Sequence, residues 1–173
     1  MNSSFPLIYL SALALILSVV GWFVFREIRR TRRQEEIINR LQGRLTKEKG
    51  SPQEHYELGS VYLEKRLYMQ AATQLKRSLE VAGETIPPAC NALGFVYFCQ
   101  GQYDLAIRYY KDALDADPDY VTAWNNLGHA YEKKNLVSPG LEAYESALKV
   151  DPTNSLARRR ADSLRKRLAP AGS

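Results

Sequence analysis

Three short stretches of this chain follow one pattern: "YELGSVY" at 56–62, "NALGFVY" at 91–97 and "NNLGHAY" at 125–131. In each stretch, Leu-Gly is followed by two residues and then by Tyr. The glycines Gly59, Gly94 and Gly128 are 35 and 34 residues apart. Such a period is typical of a helix-turn-helix unit that is repeated and stacked. The 173 residues of the chain leave room for three such units and an appendage.

The pattern extends over three units, 52–85, 87–120 and 121–154, with Ile86 inserted between the first two. The second unit is the most complete and holds Leu93, Gly94, Tyr97, Gly101, Tyr103, Ala106, Tyr110, Ala113 and Pro118. The third holds Trp124, Leu127, Gly128, Tyr131, Tyr144, Ala147 and Pro152. The first keeps Leu58, Gly59, Tyr62, Ala71 and Leu75, but has Gly83 where a proline would close the unit. These positions resemble the tetratricopeptide repeat (TPR) family, which implies an all-α superhelix of stacked helix pairs.

The recurrent glycines indicate close contacts between helices. Glycine in the middle of a helix costs about 1 kcal/mol relative to alanine, and that cost is tolerable where a neighbouring helix has to pass close by. We expect the alanines of the second helices to be the small partners at these contacts, with the tyrosines filling the gaps between them. The alanines concerned are Ala71, Ala106 and Ala113.

Two segments carry the signals of a helix start. Ser51 and Glu54 are spaced as a capping box, with Pro52 at the first helical position. Ser138 followed by Pro139 predicts the start of another helix in the same way.

The amino-terminal segment, 1–25, predicts a membrane anchor. Between residues 5 and 25, "FPLIYLSALALILSVVGWFVF" contains no charged residue, and as a helix it would span roughly 31 Å, close to the thickness of a hydrocarbon core. A cleaved signal peptide is the alternative, but its positive charges would precede the apolar run, and here they follow it. We expect Tyr9 and Trp22 to lie at the membrane interfaces.

Positive charge next to the apolar run predicts the orientation of the chain. The segment 26–51 is a basic helix or linker beside the membrane, and its arginines should keep the rest of the chain on the cytoplasmic or stromal side. They should also contact anionic headgroups at the membrane surface. These residues are Arg26, Arg29, Arg30, Arg32 and Arg33.

Two further helices are predicted outside the repeats. Within 34–47, Ile38, Leu41 and Leu45 form a narrow apolar seam, which would either cover the first repeat or pair with another copy of the chain. The segment 155–173 is expected to form a basic capping helix and tail that solvates the end of the repeats. The apolar stripe of this helix consists of Ala157, Ala161, Leu164 and Leu168.

Charge is distributed in blocks along the chain. Residues 26–50 carry a net charge of +5, residues 52–154 of −5, and residues 155–173 of +5. Nucleic acid would be a second partner for the arginine clusters, but no recognition fold accompanies them, so no nucleic acid is expected. Cys90 and Cys99 are placed on opposite faces of one predicted helix and cannot bond to each other.

A protein-binding groove is predicted on the first helix of each repeat. Positions 4, 7, 8 and 11 of that helix turn towards the second helix, and positions 2, 5, 9, 12 and 13 lie on a different face, which lines the concave groove in the family. Large apolar side chains on that face predict a groove for a helix or an extended segment. The candidate groove residues are Tyr56, Ser60, Leu63, Asn91, Phe95, Phe98, Asn125 and His129.

Two other functions are disfavoured by the sequence. TPR proteins that grip acidic chaperone tails use cations at groove positions that hold Tyr56, Ser60, Ala92, Thr122 and Asn126 here. The sequence does not indicate a catalytic site either, because His55 and His129 lack carboxylate or cysteine partners at ligand spacing. No enzyme activity, cofactor or metal site is expected.

The whole layout resembles the small membrane-anchored TPR proteins of cyanobacteria and plastids that assist photosystem I assembly. The resemblance implies a single-pass protein of the thylakoid membrane that binds photosystem I subunits or assembly intermediates. An import receptor shares the anchor and the groove and stays an alternative, as does a membrane scaffold that self-associates through 34–47.

Overall fold

The computed structural model describes residues 4–169, with side chains from residue 9 onward, and all of its regular structure is helical. The chain divides into two compact units between Lys47 and Glu48. The side chains of 1–8, at the start of the predicted anchor, and the tail 170–173 lie outside the described residues.

The amino-terminal unit is one helix, α1 (Ser4–Leu45). At 1.5 Å per residue, its 42 residues extend over roughly 63 Å. The sequence predicted an anchor and a separate helix near 34–47, whereas the structure has no break between them. The reason is that 26–45 contains no proline and is rich in residues that favour helices.

Within the described residues, α1 is the single helix long and apolar enough to cross a membrane. Its large apolar side chains from Tyr9 to Phe25 are exposed. At the end of the apolar segment, the Arg26 guanidinium lies 5.5 Å from the centre of the Trp22 ring. Arg29 lies 5.6 Å from the Phe25 ring in the same way.

The second unit contains the other seven helices of the described residues. They are α2 (Pro52–Glu64), α3 (Tyr68–Ala82), α4 (Pro87–Cys99), α5 (Tyr103–Ala116), α6 (Val121–Lys133), α7 (Val137–Val150) and α8 (Ser155–Leu168). Within this unit, each helix from α2 to α8 packs on its neighbours in the chain, and α4 also contacts α2 and α6. This all-α superhelix of helix pairs confirms the predicted fold class.

The mid-helix glycines do lie at close contacts, but their partners are not the predicted alanines. A Cβ on Gly94 would lie 2.5 Å from Cε1 of Tyr110, and one on Gly128 would lie 2.8 Å from Cζ of Tyr144. In the first repeat, Leu75 takes the place of the tyrosine. The glycine therefore makes room for a large side chain on the second helix and, in the first repeat, also for the backbone N of Leu75, which would lie 3.2 Å from a Cβ on Gly59.

The two predicted helix starts have different outcomes. Ser51 caps α2, and both bonds of the capping box with Glu54 are present. The prediction for Ser138 and Pro139 was wrong, because α7 begins at Val137 and has no side-chain cap. Pro139 fits within the first turn, since the N–H that it lacks would have no partner in the helix there.

The end of the repeats is covered by α8. Asn154 caps it by accepting a hydrogen bond from the backbone N–H of Ala157 at 2.9 Å. Three residues of the predicted stripe, Ala157, Ala161 and Leu164, are buried against α7, in a cluster that includes Tyr144. The fourth, Leu168, is 46% exposed, because it lies in the last turn of the helix.

Candidate protein-binding groove

The eight predicted groove residues lie on the first helices α2, α4 and α6. The face of each first helix that packs on its second helix is buried, as at Leu58, Leu93 and Leu127. None of the eight groove candidates is fully buried, and Phe95 is 42% exposed. The two faces of the first helices that the sequence analysis distinguished therefore differ in burial: the face towards the second helix is buried, and the predicted groove face is not fully buried.

An aromatic cluster lies at the centre of this surface. The rings of Phe95 and Phe98 are stacked with centroids 6.4 Å apart. The ring centroid of His129, on α6, lies 4.7 Å from that of Phe98. The ring of Tyr103, on α5, packs edge-on against Phe98, with centroids 5.4 Å apart. The structure thus brings together three of the eight candidates from two repeats. Tyr103 was predicted only as a repeat residue, and its position at the start of the second helix gave no signal of this role.

A polar network lies beside the aromatic cluster. Asn126 Nδ2 donates to Asn91 Oδ1 at 2.9 Å, and Asn91 Nδ2 donates to the Tyr120 hydroxyl at 3.4 Å. Asn125 Oδ1 is buried and accepts no hydrogen bond within the described residues. Tyr120 was not predicted to take part, and the signal that could have found it is its place one residue before α6.

The other candidates, Tyr56, Ser60 and Leu63, lie on α2 in the first repeat and are half-buried. Asn91 is half-buried as well, and Tyr56 lies close enough to Tyr120 to raise the pKa of the Tyr120 hydroxyl, although burial is the larger cause. Tyr56 and Asn91 from neighbouring first helices therefore share Tyr120 as a neighbour.

Burial and nearby charges together determine the pKa of the His129 side chain. Its pKa is lowered, first by burial and then by the positive charge of Arg160, while Glu132 opposes the shift. The shift favours the neutral imidazole, which contributes a ring to the cluster and carries no charge. Glu132 accepts a hydrogen bond from the Tyr144 hydroxyl at 2.6 Å and lies 3.6 Å from Arg160.

In the part of the chain that the structure describes, little supports a metal site or a catalytic site. There, no group of three or more His, Cys, Asp and Glu side chains is arranged to hold a metal ion. His55 Nδ1 is hydrogen-bonded to Gln74 at 2.9 Å. Cys90 is buried, Cys99 is exposed, and both are free.

Comparison with known proteins agrees with this architecture. A TPR repeat model matches residues 94–135, and a tetratricopeptide repeat model matches residues 121–154. The solved structure of MamA superposes with a TM-score of 0.73 at 20% identity, covering 80% of this chain and 82% of MamA. That likeness concerns the fold, which is typical of proteins that bind other proteins.

Two relatives align along nearly the whole chain. PYG7, a chloroplastic TPR domain-containing protein of Arabidopsis thaliana, is 35% identical over 93% of this chain, which spans 56% of PYG7. The ycf37 protein of Cyanophora paradoxa is 35% identical over 160 residues, which cover 91% of each chain. Identity of this extent in both directions indicates common descent. The chain therefore belongs to the ycf37 family of tetratricopeptide repeat proteins.

Proposed function

We propose that this protein is a non-enzymatic, membrane-tethered adaptor that binds protein clients in its groove and assists the assembly of photosystem I at the thylakoid membrane. The observation that carries the proposal is the exposed aromatic surface at Phe95 and Phe98, within a fold built to present such a groove. A second observation, the apolar helix α1, supports the tether.

The groove suits a client segment with apolar anchors. Phe95 is 42% exposed, and it stacks on Phe98, which is half-buried between it, Tyr103 and His129. Exposed apolar patches rimmed by polar groups mark sites of protein interaction. The neighbouring amides of Asn91 and Asn126 supply donors and acceptors for the backbone of a bound segment.

The tether is supported by the surface of α1. Its apolar side chains from Tyr9 to Phe25 have no burial within the chain, and a hydrocarbon environment would satisfy them. Arg26 and Arg29 follow at the end of that segment, where they would meet headgroups. We propose a single pass, with the repeats on the cytoplasmic or stromal side.

The thylakoid location and photosystem I as client rest on family likeness. The layout of anchor, arginine-rich segment and three repeats resembles the assembly factors of cyanobacteria and plastids, and PYG7 is chloroplastic. In the proposed sequence of events, the groove captures an exposed segment of an unassembled subunit. It releases that segment when the proper neighbouring subunit buries it.

The test is a pulldown of the tagged, membrane-embedded protein in mild detergent, with mass spectrometry of the proteins recovered. We expect photosystem I subunits with the wild type, and at least a tenfold lower yield with Phe95→Ala combined with Phe98→Ala, since a few buried aromatic anchors carry most of the energy at an interface. The control combines Val81→Ala with Leu105→Ala, which removes exposed apolar side chains from second helices.

Three outcomes would contradict the proposal in different ways. Unchanged recovery with the folded phenylalanine variant would rule out the groove. Recovery of import components together with presequence peptides would favour a targeting receptor. Recovery of the protein alone, with cross-links between copies through 34–47, would favour a self-associating scaffold.

A further inference from the structure

Helix α8 has the burial pattern of a first helix. With its first residue counted as position 1, its buried residues occupy positions 3, 7 and 10, and the same positions are buried in α4 and α6. The matched sets are Ala157, Ala161 and Leu164, then Ala89, Leu93 and Val96, then Ala123, Leu127 and Ala130. The helix that closes the core therefore continues the row of first helices that forms the groove.

Side-chain contacts place α8 next to the end of α6. Arg160 Nη1 lies 3.6 Å from Glu132 Oε2, and Arg167 Nη2 donates to Asn135 Oδ1 at 2.8 Å. Arg160 also lowers the pKa of His129, which belongs to the aromatic cluster. Residues of α8 thus lie within electrostatic range of the groove.

Three of the five groove positions of α8, namely 5, 12 and 13, hold cations: Arg159, Lys166 and Arg167. Position 5 of the four first helices holds Tyr56, Asn91, Asn125 and Arg159, and position 12 holds Leu63, Phe98, Glu132 and Lys166. Arg159 and Lys166 are exposed, and Leu156 at position 2 is 44% exposed. The surface therefore changes from aromatic on α4 to positively charged on α8.

The acidic groups nearby are already engaged. Asp162, the one acid of α8, pairs with Arg165 at 2.8 Å. Glu132 accepts from Tyr144 and pairs with Arg160. Arg159 uses only its Nε, on the carbonyl of Ser155 in its own helix, and Lys166 has no ion pair among the described residues. Both side chains can therefore turn to an added carboxylate.

We infer that the groove selects client segments that carry acidic residues on one side of an apolar anchor, with the anchor on Phe95 and Phe98 and the carboxylates on Arg159 and Lys166. This inference rests on the proposed function and specifies the chemistry of the client. It differs from a chaperone-tail clamp, because the clamp positions hold Tyr56, Ser60, Ala92, Thr122 and Asn126, and the cations come from the last helix instead.

The distance between α4 and α8 determines the expected spacing between the apolar anchor and the acidic residues of the client segment. Neighbouring helices pack with axes about 8–10 Å apart, so α4 and α8, separated by α6, present their groove residues roughly 16–20 Å apart. An extended segment rises about 3.3 Å per residue. The acidic residues should therefore lie about five or six residues from the anchor.

The inference is tested with fluorescent peptides and the full chain in phosphatidylcholine nanodiscs. Each peptide carries a Leu-Phe anchor, a spacer of about five residues and either three Glu or three Gln, made in both chain directions. We expect the Glu peptide of one direction to bind about fivefold more tightly than its Gln counterpart, because two exposed ion pairs add up to modest gains. The preference should shrink as salt is added.

Variants assign the preference to α8. Arg159→Ala with Lys166→Ala should make the Glu and Gln peptides bind equally, with the affinity for the Gln peptide unchanged. The matched control is Lys111→Ala with Lys149→Ala, which removes the same charge from exposed positions on α5 and α7 and should keep the preference. Phe95→Ala with Phe98→Ala should weaken both peptides alike, which separates failure of the groove from failure of acid selection.

Three results would overturn the inference. The first is equal binding of Glu and Gln peptides to the wild type. The second is binding of neither peptide. The third, in a parallel set of nanodiscs that contain labelled phosphatidylglycerol, is that the α8 variant leaves peptide binding unchanged but abolishes the quenching of a probe on α8 by the labelled headgroups. In that case the cations face an anionic membrane surface.

Discussion

At Gly94, the structure predicts that a single methyl group destabilises the second repeat. A Cβ there would lie 2.5 Å from Cε1 of Tyr110, and the Tyr110 ring is held in the core with 1% of its surface exposed. We expect Gly94→Ala to lower the free energy of unfolding by about 1–3 kcal/mol, as overpacking does. This loss should exceed the gain of about 1 kcal/mol that alanine brings to a helix.

The measurement is denaturant unfolding of the full chain, followed by circular dichroism. Gly43→Ala serves as the control, because a Cβ there meets nothing within 4 Å, and it should be neutral or stabilising. If Gly94→Ala were as stable as Gly43→Ala, the tight contact with Tyr110 would be refuted.

The two cysteines should differ in reactivity because they differ in burial. Burial, and secondly the charge of Asp112, raise the pKa of Cys90 to about 11, from a usual value of 9.0. The folded state therefore holds the Cys90 proton at pH values where the unfolded state loses it. The contribution of Cys90 to stability is complete below pH 9 and is lost as the pH rises from 9 towards 11.

A thiol reagent at pH 8 checks this difference. The wild type should show one fast thiol, and Cys99→Ser should show none until denaturant is added, since a buried neutral thiol is a poor nucleophile. Fast labelling of Cys90 in folded Cys99→Ser would show that the helix pairs open readily at this site.

At the level of single helices, the structure distinguishes a real cap from an apparent one. Asn154 accepts a hydrogen bond from the Ala157 N–H at the start of α8, whereas Ser138 lies inside the first turn of α7 and caps nothing. We expect Asn154→Ala to lower the free energy of unfolding by about 1 kcal/mol. Ser138→Ala should change it by less than about 0.5 kcal/mol.

The same unfolding measurement compares the two variants. An equal loss in both would mean that the start of α7 lies at Ser138, as the sequence alone had suggested. A larger loss at Ser138 would reverse the assignment.

These helices also show how much of the structure the local sequence can predict. The period of Gly59, Gly94 and Gly128 predicted the helix pairs, because stacking demands the same residue at the same place in every unit. Local sequence signals gave a wrong prediction at Gly94, where contacts between helices determine the structure. Whether Gly94 faces Ala106 or Tyr110 depends on how far one helix slides along the other, and the sequence does not encode that shift locally. The failure at Ser138 has a local cause: the turn before α7 is closed by Asn135 at φ 59° and by a hydrogen bond from the Leu136 N–H to the Tyr131 carbonyl, so the helix begins at Val137.

At the scale of the whole molecule, helical periodicity was enough to distinguish the buried face of the first helices from the exposed one, but not to predict which side chains from other helices meet there. The positions of Phe95, Phe98 and His129 followed from counting residues within each unit. The contact of Tyr103 with Phe98 did not, because it depends on side-chain packing within one helix pair. The approach of α8 to the end of α6 did not either, because these helices are not consecutive in the chain. α8 resembles a first helix only in its buried positions, and it lacks the Leu-Gly signature.

The tether should act through concentration and not through contacts with clients. Confining the groove to the membrane surface raises its effective concentration towards membrane-bound clients, which can increase avidity by about 10²–10⁴-fold without any new contact. We expect replacement of residues 5–25 by an unrelated apolar helix of equal length to preserve photosystem I accumulation. Deletion of 1–25 should abolish it at native expression, and roughly 100-fold overexpression of the deleted form should restore it.

Photosystem I content and peptide affinity, measured on the same three forms, separate the possible roles of α1. If the tether sets concentration alone, the deleted form keeps the wild-type affinity for the Glu peptide while it fails in the membrane. Failure of the swapped helix would show instead that residues 5–25 contact the client directly. Full function of the deleted form at native expression would show that the groove needs no membrane, and the proposed mechanism would then have to be replaced by one in solution.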